Sequence, residues 1–323
     1  MLTDNFGRRF EYLRMSITDV CNFRCNYCLP NGYQCDSSRE FLSLDEISTL
    51  LQAFAQLGTK KVRITGGEPC LRKDLVEIVK IAKNTPGIER VAMTTNGFNL
   101  ENKIESLVNA GLDALNLSLD SLDPRMFTAI TGSTQHSKIL SGLNKAAEMG
   151  ISSIKINAVL LKQYNPNVLS EFQHWLKDKP FSVRFIELMQ TGDNLSFFER
   201  NHLSGEQLKQ QLLSEGWQLC IRSKLDGPAQ EFSHPDYAGR IGLIMPYSKD
   251  FCKNCNRLRV SALGKLHLCL FAEQGIELRR YLQMQDVDAT VSAIQSAMTD
   301  KKISHELQQG FTGATTHLAM LGG

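Results

Sequence analysis

Apolar side chains recur along the first two-thirds of the chain in two alternating rhythms. Leu44, Ile47, Leu50, Leu51, Phe54 and Leu57 follow the three-and-four spacing that puts them on one face of a helix. Ser43 and Glu46 stand in front of this run as a capping box, which marks where the helix starts. Leu75, Ile78, Val79 and Ala82 repeat the pattern in a second helix. Between such segments lie short runs that read as strands: about residues 12–18, 61–65, 90–95, 114–119, 154–160 and 183–188. Strands alternating with helices predict a parallel sheet joined by right-handed crossovers. Six such units fit between residues 10 and 190, as an open sheet or a partial barrel.

The polar positions within these strands decide between the two. Arg63 and Thr65 share one face at period two, as do Asn116 and Ser118, and Lys155 and Asn157. A closed, packed barrel fills that face with Val, Ile and Leu. A polar face predicts a wide, incomplete barrel lined for a polar ligand. After Thr191 the rhythm changes to mixed polar sequence, with a helix near 205–213 and a strand over 240–246. This places a soft boundary near 190, with one region over 1–190 and another over 191–323.

Composition narrows the class of protein. The 323 residues are 42% hydrophobic and 22% charged, with a net charge of +2, so a general nucleic-acid surface is not expected. No apolar run approaches the ~18 residues that cross a membrane, and the first residues lack an apolar signal core. The expectation is a cytoplasmic protein whose cysteines stay reduced.

Six of the nine cysteines then stand out. They form two triplets, Cys21-x3-Cys25-x2-Cys28 and Cys252-x2-Cys255-x13-Cys269. Each is one ligand short of a closed zinc site or a fully protein-held iron–sulfur cluster, which leaves a metal position open for a small molecule. Thr65-Gly66-Gly67-Glu68-Pro69 ends the second strand. Its glycines are expected to approach a ligand closely, and its carboxylate to pair with an amino group. Arg257 and Arg259 lie two apart on a strand, so both forks face one way and suit a phosphate. Cys35, Cys70 and Cys220 read as ordinary small thiols.

The first triplet, with aromatic Tyr27 before its third cysteine, resembles that of the radical S-adenosylmethionine (SAM) enzymes. With TTNG at Thr94 to Gly97, NLSLD at Asn116 to Asp120, VRFIELM at Val183 to Met189, the second triplet and a Gly322-Gly323 end, the chain is similar to the GTP 3′,8-cyclase family of molybdenum cofactor biosynthesis. The resemblance implies an incomplete (β/α)6 radical SAM barrel with a C-terminal α+β region carrying a second iron–sulfur cluster. It implies that Cys21, Cys25 and Cys28 hold one [4Fe–4S] cluster, and Cys252, Cys255 and Cys269 another. It also implies that Tyr27, Gly67, Ser118 and Met189 contact SAM, and that Arg14, Arg63, Thr94, Lys155, Arg257 and Arg259 hold GTP. Gly322 and Gly323 would enter the active site, where with Arg257 and Arg259 they would serve catalysis. The implied partners are an electron donor and a cyclic pyranopterin monophosphate synthase that takes the product; a homodimer is compatible. Val20, Leu321 and the segment from Lys301 to Met320 depart from the family pattern, and none is expected to touch a proposed ligand. A radical SAM peptide maturase and a zinc-binding module are the competing readings.

Overall fold

The computed structural model describes residues 1–34, 39–192, 194–221, 226–315 and 317–322. Its frame is a single sheet in which β1 (Tyr12–Ser16), β2 (Lys61–Thr65), β3 (Arg90–Thr95), β4 (Ala114–Ser118), β5 (Ser153–Leu160) and β6 (Ser182–Glu187) lie side by side in chain order and parallel. Helices α1 (Leu44–Gln56), α2 (Leu75–Asn84), α3 (Leu100–Asn109), α4 (Pro124–Thr131), α5 (His136–Glu148) and α6 (Val168–Leu176) occupy the crossovers. These are the six units expected, and the strand limits fall within two residues of the periodicity reading.

The local signals work as physical chemistry requires. Ser43 Oγ accepts from Glu46 N at 3.2 Å, and Ser43 N donates back to Glu46 Oε2 at 2.8 Å, so α1 begins on a complete capping box. Its apolar face, with Ile47, Leu50, Leu51 and Phe54, is fully buried on the sheet. In the strands, Leu13 and Met15, Val62 and Ile64, and Leu115 and Leu117 are buried in the same hydrophobic core as the helices. The alternate positions, led by Arg14, Arg63 and Asn116, point the other way.

Residues beyond 190 complete this sheet on both flanks. β7 (Gln218–Leu219), β8 (Gln230–Ser233) and β9 (Arg240–Ile244) follow in sequence, and β9 pairs parallel with β6. β10 (Arg257–Val260) pairs parallel with β1, while β11 (Lys265–His267) and β12 (Ile276–Glu277) continue antiparallel from it. The order is β12-β11-β10-β1-β2-β3-β4-β5-β6-β9-β8-β7. Side chains from β10 and β1 at one side and from β6 and β9 at the other line one cavity, so the sheet curls into a partial barrel. No helix among the described residues is long and apolar enough to cross a membrane.

Candidate active site

The interior is built by register. Arg259 lies beside Arg14, and Arg14 beside Arg63, across β10, β1 and β2. One step back, Arg257, Tyr12 and Lys61 form a parallel row. On the other side Thr94 faces Asn116, Asn116 faces Lys155, and Asn157 faces Arg184. Arg14, Arg63, Asn116, Asn157, Arg184, Met189, Arg257 and Arg259 line the cavity together with Cys252, Cys255 and Cys269. Lys155 lies in an adjoining recess, where it reaches Glu231 Oε1 at 3.2 Å, and Arg184 Nη2 reaches the same oxygen at 2.9 Å. Arg184 and Lys61 were not singled out from sequence, because one charge within an apolar strand carries no signal until its neighbours in register are known.

This interior is short of internal partners. Arg63, Arg257 and Arg259 are at most 8% exposed, and among the described residues none forms an ion pair with a carboxylate. Burial, and then the neighbouring arginines, pull Arg14 and Arg259 below the usual guanidinium range. Burial with Arg184 lowers Lys155 to about 8, and burial with Arg63 and Arg90 lowers Lys61 to about 6. Buried polar atoms lacking a hydrogen-bond partner within the described structure include Arg63 Nε, Thr94 Oγ1, Asn116 Nδ2, Asn157 Oδ1, Arg257 Nε and Arg259 Nε. Native interiors satisfy such groups. A polyanion bearing further polar groups fits this face, since it offsets the charge and supplies acceptors.

The first cysteine triplet sits on the loop after β1, where the Cys28 N–H donates to the Cys25 carbonyl at 2.9 Å. Burial raises the Cys21 thiol to about 11 and the Cys28 thiol to about 12, and raises Cys25 as well. Three desolvated sulfurs close enough to repel one another as anions fit a cationic cluster that holds them as thiolates. Among the described residues no three His, Cys, Asp or Glu side chains converge on one ion position. A [4Fe–4S] cluster instead spreads three thiolates over three irons.

The Gly-Gly-Glu-Pro turn braces this loop. Gly67 N donates to Thr18 O and Glu68 N to Val20 O, both at 2.8 Å. A Cβ on Gly66 would stand 2.4 Å from Thr18 O, and one on Gly67 would stand 2.3 Å from Val20 O. The glycines therefore let two backbones pack together, and Val20 acts through its carbonyl. Glu68 is also held from within the chain. Its fully buried carboxylate accepts from Cys70 N (2.8 Å), Thr95 Oγ1 (2.7 Å) and Asn96 N (2.6 Å), tying the turn to the TTNG segment. Asn96 Nδ2 in turn approaches Cys21 Sγ at 3.8 Å. Tyr27 donates to Asp120 Oδ2 at 2.9 Å, and burial raises that carboxyl to about 6. Ser118 ends β4, half-buried, and Met189 packs against the C-terminal Leu318 and Leu321.

The second triplet contrasts with the first. Burial pushes Cys252 up, but hydrogen bonds from His305 and Ser304 bring it down to about 6. Burial is likewise outweighed at Cys255, where Arg257 and Lys301 lower the thiol. The expectation that residues 301–320 touch no proposed ligand is thus overturned. The tail also reaches the first triplet, since Leu318 and Leu321 pack with Tyr27 and Cys28, and the Leu318 and Ala319 backbones hydrogen-bond Cys28. Gly322 then enters the barrel, where its carbonyl accepts from Arg14 and, at 3.4 Å, from Thr65 Oγ1. Its φ is +68°, and a Cβ there would stand 2.3 Å from Thr65 Cγ2. Gly323 and Cys35 lie outside the described residues, whereas the eight described cysteines are all free of disulfides.

Comparison with known proteins decides what this interior belongs to. The Radical SAM superfamily profile matches residues 15–176, and the Molybdenum Cofactor Synthesis C profile matches residues 181–307. A GTP 3′,8-cyclase of Shewanella denitrificans is 55% identical over 323 residues, covering 100% of this chain and 96% of that protein. The chain belongs to the GTP 3′,8-cyclase family. Similar GTP 3′,8-cyclases from Vibrio vulnificus and Yersinia pestis are each 53% identical, covering 99% and 100% of this chain and 97% and 99% of their own length. Among solved structures, Streptococcus suis SuiB bound to S-adenosylmethionine shares the fold of this cyclase-family chain. It gives a TM-score of 0.61 at 14% identity, over 91% of this chain and 69% of that one. Membership brings the radical SAM requirement for a [4Fe–4S] cluster and SAM.

Proposed function

We propose that the chain converts GTP to 3′,8-cyclo-7,8-dihydroguanosine 5′-triphosphate in molybdenum cofactor biosynthesis, as a radical SAM GTP 3′,8-cyclase. The observation that carries the reading is the buried set of Arg63, Arg257 and Arg259, without carboxylate partners among the described residues, which lines one cavity with the second cysteine triplet. Cys21, Cys25 and Cys28 hold the SAM cluster, with Tyr27, Gly67, Ser118 and Met189 around SAM. When bound, cluster and SAM supply a 5′-deoxyadenosyl radical by one-electron cleavage of the sulfonium. Arg14, Arg63, Thr94, Lys155, Arg257 and Arg259, joined by Arg184 and Lys61, bind the nucleotide. The fixed charges of the arginines hold the triphosphate so that the ribose and base cannot turn away from each other. Cys252, Cys255 and Cys269 would hold a second [4Fe–4S] cluster, and three protein ligands would leave it one iron free to take a small molecule such as the guanine. Gly322 lies beside Arg14, and the Gly322-Gly323 end serves catalysis.

On this reading residues 1–190 form the SAM barrel and residues 191–323 the second-cluster and substrate region. The protein works in the cytoplasm with an electron donor. Its product passes to a cyclic pyranopterin monophosphate synthase, and neither a nucleic acid nor a membrane takes part. The test is anaerobic incubation of reconstituted protein with SAM, a reductant and each nucleoside triphosphate in turn. Mass spectrometry should find a cyclised product from GTP, and its absence with GTP would overturn the reading.

A further inference from the structure

A carboxylate reaches two of the interior cations because the residue between them has no side chain. Register sets Arg184 of β6 beside Gly242 of β9, and Gly242 beside Glu231 of β8. A Cβ at position 242 would stand 3.0 Å from Arg184 Cγ and 3.6 Å from Glu231 Cγ. Glycine there lets both side chains close over the strand that separates them. Glu231 Oε1 then accepts from Arg184 Nη2 at 2.9 Å and from Lys155 Nζ at 3.2 Å.

This carboxylate is an incomplete partner for the group it serves. Two cations share one anion, so positive charge is left over. Ser182 lies beside Lys155 in register. Ser182 Oγ and Arg184 Nε are buried without a hydrogen-bond partner among the described residues, and both residues are less than one-tenth exposed. Lys155, Ser182, Arg184 and Glu231 line one recess of about 420 Å³. Arg184 and Gly227 line both that recess and the cavity that holds the second triplet, so the two spaces adjoin. A terminal phosphate carries more charge than a carboxylate and three acceptor oxygens. It can replace the bonds that Glu231 makes and also serve the donors that Glu231 leaves open.

We propose that Glu231 is a specificity-determining residue: its carboxylate stands in for a phosphate on Lys155 and Arg184 until the nucleotide's phosphate tail displaces it. This rests on the reading that Lys155 and Arg184 hold the triphosphate. A ligand must break two charge-assisted bonds before it makes its own, so Glu231 opposes every anion at this place. A triphosphate joined to ribose and base overcomes that opposition, whereas a smaller anion with fewer contacts is held back.

The experiment uses full-length protein reconstituted anaerobically, as wild type, Glu231→Gln, Glu231→Asp, Lys155→Met and the double variant of Glu231→Gln with Lys155→Met. Glutamine keeps the shape and removes the charge, and aspartate draws the charge back by one methylene. Calorimetry measures binding of GTP, inorganic tripolyphosphate and guanosine at about pH 6.5, where Lys155 keeps its proton. Iron content and thermal midpoint check the fold. Glu231→Gln should bind GTP and tripolyphosphate about tenfold more tightly, the scale of one hydrogen bond to a charged group that no longer has to be broken. Guanosine should bind as it does to wild type. With Lys155→Met in the background the gain should shrink, because one of the two contested cations is gone. A merely structural role for Glu231 cannot tighten binding of the phosphate-bearing ligands alone. Should glutamine lower the thermal midpoint, Glu231→Asp decides, and it should shift GTP affinity in the same direction. Unchanged or weaker GTP binding in a well-folded variant, or an equal gain for guanosine, overturns the inference. Wild type that binds guanosine as tightly as GTP would instead overturn the reading that these cations hold the triphosphate, and the inference with it.

Discussion

Guanidinium groups cannot shed their charge when buried, so each one inside this barrel calls for a counter-charge. Arg257 and Arg259 sit on one face of β10 without carboxylate partners among the described residues. Replacing either with alanine should weaken GTP binding by about 1.5–3 kcal/mol, the worth of a hydrogen bond to a charged group. SAM binding should hardly change, and equal losses for both ligands would indicate misfolding instead. Lysine behaves differently because it can lose its proton. Lys155 is depressed to about 8 by burial and Arg184. A bound triphosphate favours the charged amine and raises that pKa, so binding near pH 8 takes up protons and weakens as pH rises through 8. Calorimetry in buffers of different ionisation heat should show this uptake, and Lys155→Met should remove the part centred near pH 8. A binding enthalpy independent of buffer would count against Lys155 as a ligand. The residue types were legible where two polar positions shared a strand at period two, as with Arg63 and Thr65. Arg184 was not, because its meaning comes from Asn157 beside it on another strand.

Elements read well from sequence wherever side chains alone set the geometry. The capping box at Ser43 and the apolar stripe of α1 are complete local instructions, and Ser43→Ala should cost about 1 kcal/mol of stability in a denaturant titration. An unchanged midpoint would mean that Glu46, which also accepts from Arg279 Nε at 3.0 Å, holds the helix start without its cap. The tail was the opposite case. Its contacts to Cys28 run through the backbone of Leu318 and Ala319, and backbone donors leave no trace in residue identity. Its end is more legible, because positive φ at Gly322 and a Cβ clash with Thr65 both require glycine there. Gly322→Val should therefore leave cluster content intact while sharply lowering the yield of cyclised product per 5′-deoxyadenosine formed. A ratio equal to that of the wild type would make the tail a passive end.

At the scale of the whole molecule, two cysteine triplets more than 220 positions apart in sequence belong to one interior because β10 pairs with β1. The sequence patterns showed six strand–helix units, but not that the strands after residue 190 would flank them on both sides. Periodicity reports the face of a strand and not its neighbour. The two triplets should nevertheless be separable by chemistry. Cys25→Ser should abolish 5′-deoxyadenosine formation while keeping iron at the second site, whereas Cys255→Ser should still cleave some SAM and yield no cyclised nucleotide. SAM cleavage surviving Cys25→Ser would refute the assignment of the first triplet. The same pairing also governs how the protein comes into being. A ribosome delivers β1 early, yet its outer hydrogen-bonding edge finds a partner only when Arg257–Val260 emerges, after about four-fifths of the chain. Until then the nascent barrel offers an unpaired strand to any other chain, the situation in which edge-to-edge association begins. Slow synthesis of the last fifth, or truncation before β10, should therefore show first as aggregation, with loss of the active site as its consequence.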